Sequence, residues 1–304
     1  MKKRILLFLC LLLAAALSMQ GCLSSLLSVQ TERRGPAMWI IEDNDGHRCY
    51  LFGTFYAGKD DSMFPLSDVI EDAYSYCSAV AVEYDMTAEV ADAAPVYDDG
   101  TTIKEHLSEN VYNAAVSLIK IRDGEYKGQY DDYTIAAWYS ILDQYVTSSS
   151  GYSTEYGTDV YFVKKAKADN KKLYELEGAE YLDGIGAYIS DRVYEAFIIS
   201  LLNSRGGSSL SSYDTIYKNG DMTTLTYAVN SSRSAQYQDA ALSADMETYY
   251  TKMFTERNIK IADGIKEYLA SGERVFVAVD CSHIVGNDGI AAVLQSGGYK
   301  VIRK

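Results

Sequence analysis

The chain has 304 residues, 48% of them hydrophobic, and a formal net charge of −14. That length and apolar share suit one large globular domain or two small ones, and the acidic balance argues against nucleic-acid binding, which needs clustered Lys and Arg. Tyrosine is over-used, at 27 residues against three prolines; its ring and hydroxyl together favour half-wet clefts as well as cores.

The chain opens MKKRILLFLCLLLAAALSMQGC, with a basic start, an apolar stretch from Ile5 to Leu17 and a small residue before a cysteine. This is the pattern of a secretory signal, and it is too short for a confident spanning helix. Gly21-Cys22 stands where a bacterial lipobox puts its lipid-modified cysteine, although Met19 and Gln20 replace the usual leucine and small residue. The expectation is a lipoprotein signal over residues 1–21, lipidation at Cys22, a tether over 22–36 and a folded domain over 37–304. Acyl chains would then hold the domain outside the cytoplasm at the cell membrane; ordinary secretion and an uncleaved anchor are the alternatives. Removing residues 1–21 takes the net charge to −17, because Lys2, Lys3 and Arg4 leave with them. Beyond Cys22, the cysteines Cys49, Cys77 and Cys281 lack metal-finger or CxxC spacing and read as small buried side chains, with room for one disulfide.

MWIIEDNDGHRCYLFGT reads as two strands around an Asn44-Asp45-Gly46 turn. His47 lies just past that turn, facing solvent. The second strand feeds the loop GTFYAG. Pro65 and Ser67 then open a helix whose Ile70, Ala73, Tyr74 and Cys77 recur on one face. The run AVAVEYD is a buried strand delivering Glu83 and Asp85 near its carboxyl end. Strand, helix, strand predicts a parallel crossover with site residues gathered at one end of a sheet.

The middle, from about Thr101 to Glu247, is helical in pattern. TTIKEHLSENVYNAAVSLIKI reads as one capped amphipathic helix, and DDYTIAAWYSILDQYV as a more apolar one. The Gly/Ser/Tyr stretch SSSGYSTEYG leads to a helix, GTDVYFVKKAKADN, and to the strand KKLYELE, which ends in Glu175 and Glu177. RVYEAFIISLL is another helix, with SRGGSSLSS as a flexible exit. The last quarter runs TERNIKIADGIKEYLASGE (helix), RVFVAVD (strand), CSHIVGNDG (loop), IAAVLQSG (helix) and YKVIRK (strand).

Three segments carry candidate chemistry: GTFY, Glu83, and Asp280 with His283. Each follows a strand, where α/β proteins place ligands, so they can converge on one cleft. No nucleophile elbow, phosphate loop or His-Glu-x-x-His helix is present.

GTFYAG, FPLSDVIEDAYSYCSAVAVEYD, YGTDVYFVKKAKADNKKLYELE, TERNIKIADGIKEYL and VFVAVDCSHIVGNDGIAAVLQSGGYKVI together resemble, in order, the TraB/GumN family of secreted or membrane-attached proteins, which is similar to the Tiki metalloproteases. The resemblance implies an α/β fold of the EreA/ChaN/Tiki kind, with strand-end loops around one cleft and a helix-rich middle. It also implies a divalent metal (manganese, cobalt or zinc) held by two Gly-x-x-His motifs and a glutamate. On this chain Glu83 matches the glutamate, His283 the second histidine, and Arg257 and Asn258 an Arg-Asn pair. Gly53-Thr54-Phe55-Tyr56 puts tyrosine where the first histidine belongs, and Asp280 stands at the second motif's glycine.

A phenol with a pKa near 10 is a poor substitute for imidazole. Glu83, Asp280 and His283 together would make a set suited to manganese or calcium rather than zinc. His283 is read either as a ligand or as a hydrogen-bonded structural residue, and Glu83 either as a site residue or as a buried partner of Arg257. Arg257 could alternatively hold a substrate carboxylate or an oxyanion. The functional expectation is a lipid-anchored, metal-dependent hydrolase (a peptidase) with Glu83 and Arg257 catalytic and a degenerate first metal motif. The alternative is an inactive member that binds a peptide or glycan at the cell surface, with no metal.

Overall fold

The computed structural model describes residues 35–88, 95–203 and 208–304. The signal expected over 1–21, Cys22 and nearly all of the tether lie outside them.

The Asn-Gly-type turn folds as read, joining β1 (Met38–Glu42) to β2 (Arg48–Thr54) as an antiparallel pair. Helix α1 (Asp68–Tyr76) buries Ile70, Ala73 and Tyr74 and returns the chain to β3 (Ala79–Val82). The remaining strands are β4 (Lys172–Glu175), β5 (Val275–Asp280) and β6 (Lys300–Arg303). They form one sheet in the order β4-β3-β5-β2-β1-β6. Strands β4, β3, β5 and β2 are mutually parallel, and every residue of β3 and β5 is buried. Central parallel strands need apolar side chains on both faces, which is why AVAV and VFVAV lack alternation.

An aromatic cluster of Phe52, Phe162, Phe276 and Tyr74 locks the sheet to its helices, with Phe162 and Phe276 centroids 4.6 Å apart. Phe162 belongs to α5 (Thr158–Ala168), which packs on β3 and β5.

The helix expected over TTIKEHLSENVYNAAVSLIKI is in fact two, α2 (Ile103–His106) and α3 (Glu109–Asp123). Leu107 adopts extended backbone (φ −118°, ψ 144°) and buries its side chain, and Ser108 starts the second helix as its cap residue. Local periodicity is blind to such a break, because each half keeps its own apolar face. Helices α3, α4 (Ile135–Ser149), α7 (Asp191–Asn203) and α10 (Ala240–Tyr250) pack around Trp138, Tyr139, Phe197 and Tyr249. Between them in sequence lie α6 (Ala179–Gly186), α8 (Ser208–Lys218) and α9 (Met222–Arg233). The exit read as flexible after α7 already belongs, from Ser208, to α8; residues 204–207 lie outside the described set. Much of the tyrosine excess serves this core: Tyr74, Tyr139, Tyr217 and Tyr249 are fully buried.

The chain closes through α11 (Arg257–Ser271), the short α12 (Cys281–Ile284) and α13 (Ile290–Ser296). Cys49, Cys77 and Cys281 are buried and free, so the disulfide left open by their number is not formed.

Candidate functional site at the strand ends

Strand register sets the site. Thr54 is paired with Asp280 and Val82 with Ala278, so Thr54, Glu83 and Asp280 leave the sheet at one edge. A cavity of about 20 Å³ lies there, lined by Thr54, Tyr56, Glu83, Asp159, Arg257 and Asp280 among others. Such a volume holds one water molecule or one ion.

Arg257, 2% exposed, is clamped between two glutamates. Its Nε and Nη2 donate to the two oxygens of Glu177 at 2.8 and 2.7 Å, and Nη2 also donates to Glu83 Oε2 at 2.7 Å. Burial opposes the guanidinium charge, yet Glu177 and then Glu83 outweigh it and raise its pKa. Glu83 Oε1 accepts the Asp280 N–H at 2.8 Å, so each of its oxygens carries one bond to protein. Glu177 is brought to this place by β4: its N–H and that of Gly178 both donate to the Glu83 carbonyl.

Asp280 Oδ1 accepts the N–H and hydroxyl of Ser282, at 2.9 and 2.6 Å. Burial raises its pKa to about 6, with the Glu83 charge adding to the rise and the Ser282 bonds opposing it. Asp159, in the first turn of α5 and 6% exposed, accepts the Val160 N–H on Oδ1 at 2.7 Å. Burial pushes it well above the ordinary carboxylate range, and the charges of Asp280 and Glu83 push the same way.

His283 stands apart. It is fully buried but absent from the cavity wall, and its Nδ1 lies 2.6 Å from Asn258 Oδ1. Asn258 Nδ2 donates to the Asp288 carbonyl, which turns its oxygen toward the imidazole. That arrangement assigns the proton to Nδ1 and leaves Nε2 a bare acceptor, which has no hydrogen-bond partner among the described residues. Burial, together with Arg257 and Arg233, keeps the ring neutral. A π-helical segment, Thr251–Glu256, precedes α11 and seats Met253 on the cavity and Phe254 against His283, ring centroids 5.3 Å apart. Wide turns of this kind re-aim side chains near functional sites.

The GTFY loop is held from behind. A Cβ on Gly53 would meet Cys281 Cβ at 2.8 Å, and one on Gly157 would meet the Tyr56 carbonyl at 2.6 Å, so both close approaches need glycine. Phe55 N–H donates to Thr158 Oγ1, and the Tyr217 hydroxyl donates to the Gly53 carbonyl while lying 3.0 Å from Thr158 Oγ1. Tyr217→Phe removes that shared hydroxyl inside a dry site and is expected to cost about 1–3 kcal/mol. Urea unfolding with an unchanged m-value would show the loss; a cost below about 0.5 kcal/mol would mean the hydroxyl is dispensable.

The structure therefore brings Thr54, Tyr56, Glu83, Arg257 and Asp280 to one cavity, and leaves Gly53, Asn258 and His283 outside its wall. Glu83, Asp280 and His283 do not form a metal set here. Among the described residues, the group of three His, Cys, Asp or Glu whose ligand atoms all lie within 4.8 Å of one another is Asp43, Asp45 and His47, on the hairpin turn. Two residues of the site escaped sequence reasoning. An acid in the first turn of a helix, like Asp159, is an ordinary dipole partner; Glu177 was visible only as a charge ending a strand.

The TraB/PrgY/gumN family model matches residues 37–303. The chain belongs to this family. Searches of curated proteins and of solved structures found no match. In this TraB/PrgY/gumN protein an imidazole-held zinc does not fit the cavity: the wall presents a phenol at position 56, and His283, with its bare Nε2, is not among the residues that line it.

Proposed function

We propose that this TraB/PrgY/gumN-family protein is a lipid-anchored, extracytoplasmic binding protein that keeps the strand-end framework without a metal-dependent hydrolytic centre. One observation carries the reading: each oxygen of Glu83 already accepts a hydrogen bond, from Arg257 on Oε2 and from the Asp280 N–H on Oε1. Those bonds tie the carboxylate to a buried guanidinium and to the end of β5, a structural role in place of that of a base poised beside an attacking water. Arg257 is equally committed to Glu177, and a 20 Å³ cavity admits a water but no peptide bond.

A glycan is the ligand class that the surface favours. A shallow hollow of about 430 Å³ on α9 is lined by Met222, Thr223, Thr226, Tyr227 and Asn230. The Tyr227 ring is 45% exposed. An open ring beside two hydroxyls and an amide can stack on a sugar face and bond its hydroxyls. Tyr227→Ala is expected to weaken glycan binding about tenfold by calorimetry, a loss of about 1.4 kcal/mol.

A metal-dependent peptidase is the second reading, favoured by the meeting of Thr54, Tyr56, Glu83, Arg257 and Asp280 in one cavity. Peptide hydrolysis assayed on the full chain in manganese, cobalt and zinc is expected to stay at the blank rate. Turnover that disappears in both Glu83→Ala and His283→Ala would overturn the binding reading.

A further inference from the structure

The third histidine, His106, ends α2 in the middle of an unbroken hydrogen-bonded chain. Its Nδ1 lies 2.7 Å from Asp191 Oδ2, at the head of α7, and its Nε2 lies 2.8 Å from Thr101 Oγ1. The Thr101 hydroxyl donates in turn to Asp99 Oδ1 at 2.6 Å, and the Thr101 N–H reaches the same oxygen at 2.9 Å. The imidazole is stacked flat on Tyr97, centroids 3.8 Å apart and planes 6° from parallel. Tyr97 is anchored as well, because its hydroxyl accepts the Ile135 N–H at the start of α4.

Acid, imidazole and hydroxyl in series resemble a nucleophile with its base, but the protons are placed otherwise. A hydroxyl has one proton to give. Thr101 gives its proton to Asp99, so its Oγ1 accepts from Nε2. The Asp191 carboxylate can only accept, so Nδ1 donates too. Both ring nitrogens then carry hydrogen, and the hydrogen-bond network assigns His106 as an imidazolium. Its surroundings fit that charge. Asp99 and Asp191 flank the ring, Glu105 faces it from its own helix, and the Tyr97 ring adds a cation–π attraction. Tyr97 stays neutral, its phenol pushed up by burial. Asp99 is held below its ordinary range, first by the Thr101 hydroxyl and N–H and further by the His106 charge. The cations of the flanking elements are paired elsewhere, Lys104 with Asp131 and Arg192 with Asp245.

We propose that His106 is a proton-operated clasp. Protonated, it ties residues 97–101 to the head of α7 through a bond from each ring nitrogen; deprotonated, it gives one of them up. A neutral ring has a single N–H. If Nδ1 keeps it, Thr101 turns its hydroxyl to Nε2 and leaves Asp99 with the backbone N–H alone. If Nε2 keeps it, a bare Nδ1 faces the Asp191 carboxylate. Histidine suits such a device, since its charge changes between about pH 5 and 8. The sign follows from the charge: the clasp stabilises the fold fully where the ring is protonated, and its contribution disappears as pH rises.

Thermal unfolding of the full chain, purified in detergent, tests this at pH 5.5 and pH 8.5 against His106→Gln. The parent is expected to exceed the variant in Tm by about 3–5 °C at the lower pH and by less than about 1 °C at the higher. Buried carboxyl groups such as Asp159 and Asp280 titrate in both proteins, so their effect cancels in the difference. Asp191→Asn is a second arm: its amide oxygen still accepts from Nδ1, so it should fold, and its gap to the parent should also narrow as pH rises. An equal gap at both pH values for the two variants overturns the proposal, because it marks a neutral, merely structural histidine. A gap that widens with pH, or none at either pH, overturns it too.

Discussion

Arg257→Ala is expected to lower the unfolding free energy by about 3–5 kcal/mol, the largest effect of any single substitution at this site. The guanidinium is 2% exposed and makes charge-assisted bonds to Glu177 on both oxygens and to Glu83 on one. Its removal leaves two carboxylates facing each other in a dry space, with Glu177 fully buried. The penalty is the uncompensated charge rather than the worth of the pair, so it should be recoverable. Arg257→Met combined with Glu177→Gln is expected to regain a good part of the loss, since of the two carboxylates bonded to Arg257 only Glu83 then keeps a charge. Chemical unfolding of the three proteins at neutral pH measures both quantities. A loss below about 1 kcal/mol for Arg257→Ala would mean that water reaches the cluster and screens it.

Asp280→Asn is expected to stabilise the chain at neutral pH and to leave it unchanged in acid. In the folded protein Asp280 holds its proton to about 6, against an ordinary value of 3.8, chiefly because it is buried. Between those values the folded state binds more proton than the unfolded state, so stability falls as pH rises from about 4 to about 6 and the full deficit stands above that. Two pKa units correspond to about 3 kcal/mol, which bounds the gain from the amide at pH 7.5; below about pH 4 the gain vanishes. Asp159, also shifted upward by burial, leaves a residual slope of the same sign in the variant. Urea unfolding across this range, with chelator present to exclude ions, gives the curve. A variant no more stable than the parent at pH 7.5 would mean that the Asp280 carboxyl is solvated.

Much of the fold is legible in the sequence because its signals are local. An Asn-Asp-Gly turn between alternating apolar runs gives the hairpin of β1 and β2, and uninterrupted AVAV and VFVAV give the central strands β3 and β5. Chain order then places Thr54, Glu83 and Asp280 at strand ends. Where the reading failed, a local pattern concealed a long-range choice: nothing in the period of residues 101–121 announces that Leu107 leaves the helix to enter the core, nor that α8 begins at Ser208 in a Gly/Ser-rich run.

The sequence by itself determined the family framework, the strand ends and the substitution of Tyr56 for an imidazole, since these depend on residue identity and near neighbours. Only the tertiary structure decided what those residues face. Strand register lays Thr54 beside Asp280, and β4 carries Glu177 to Arg257. The first turn of α5 delivers Asp159 to the same cavity, while His283, bonded through Nδ1 to Asn258, is not part of its wall. Charge and hydrogen-bond partners are chosen by proximity in a dry interior, where an unpaired group is costly, and that proximity is set by contacts spanning more than a hundred residues.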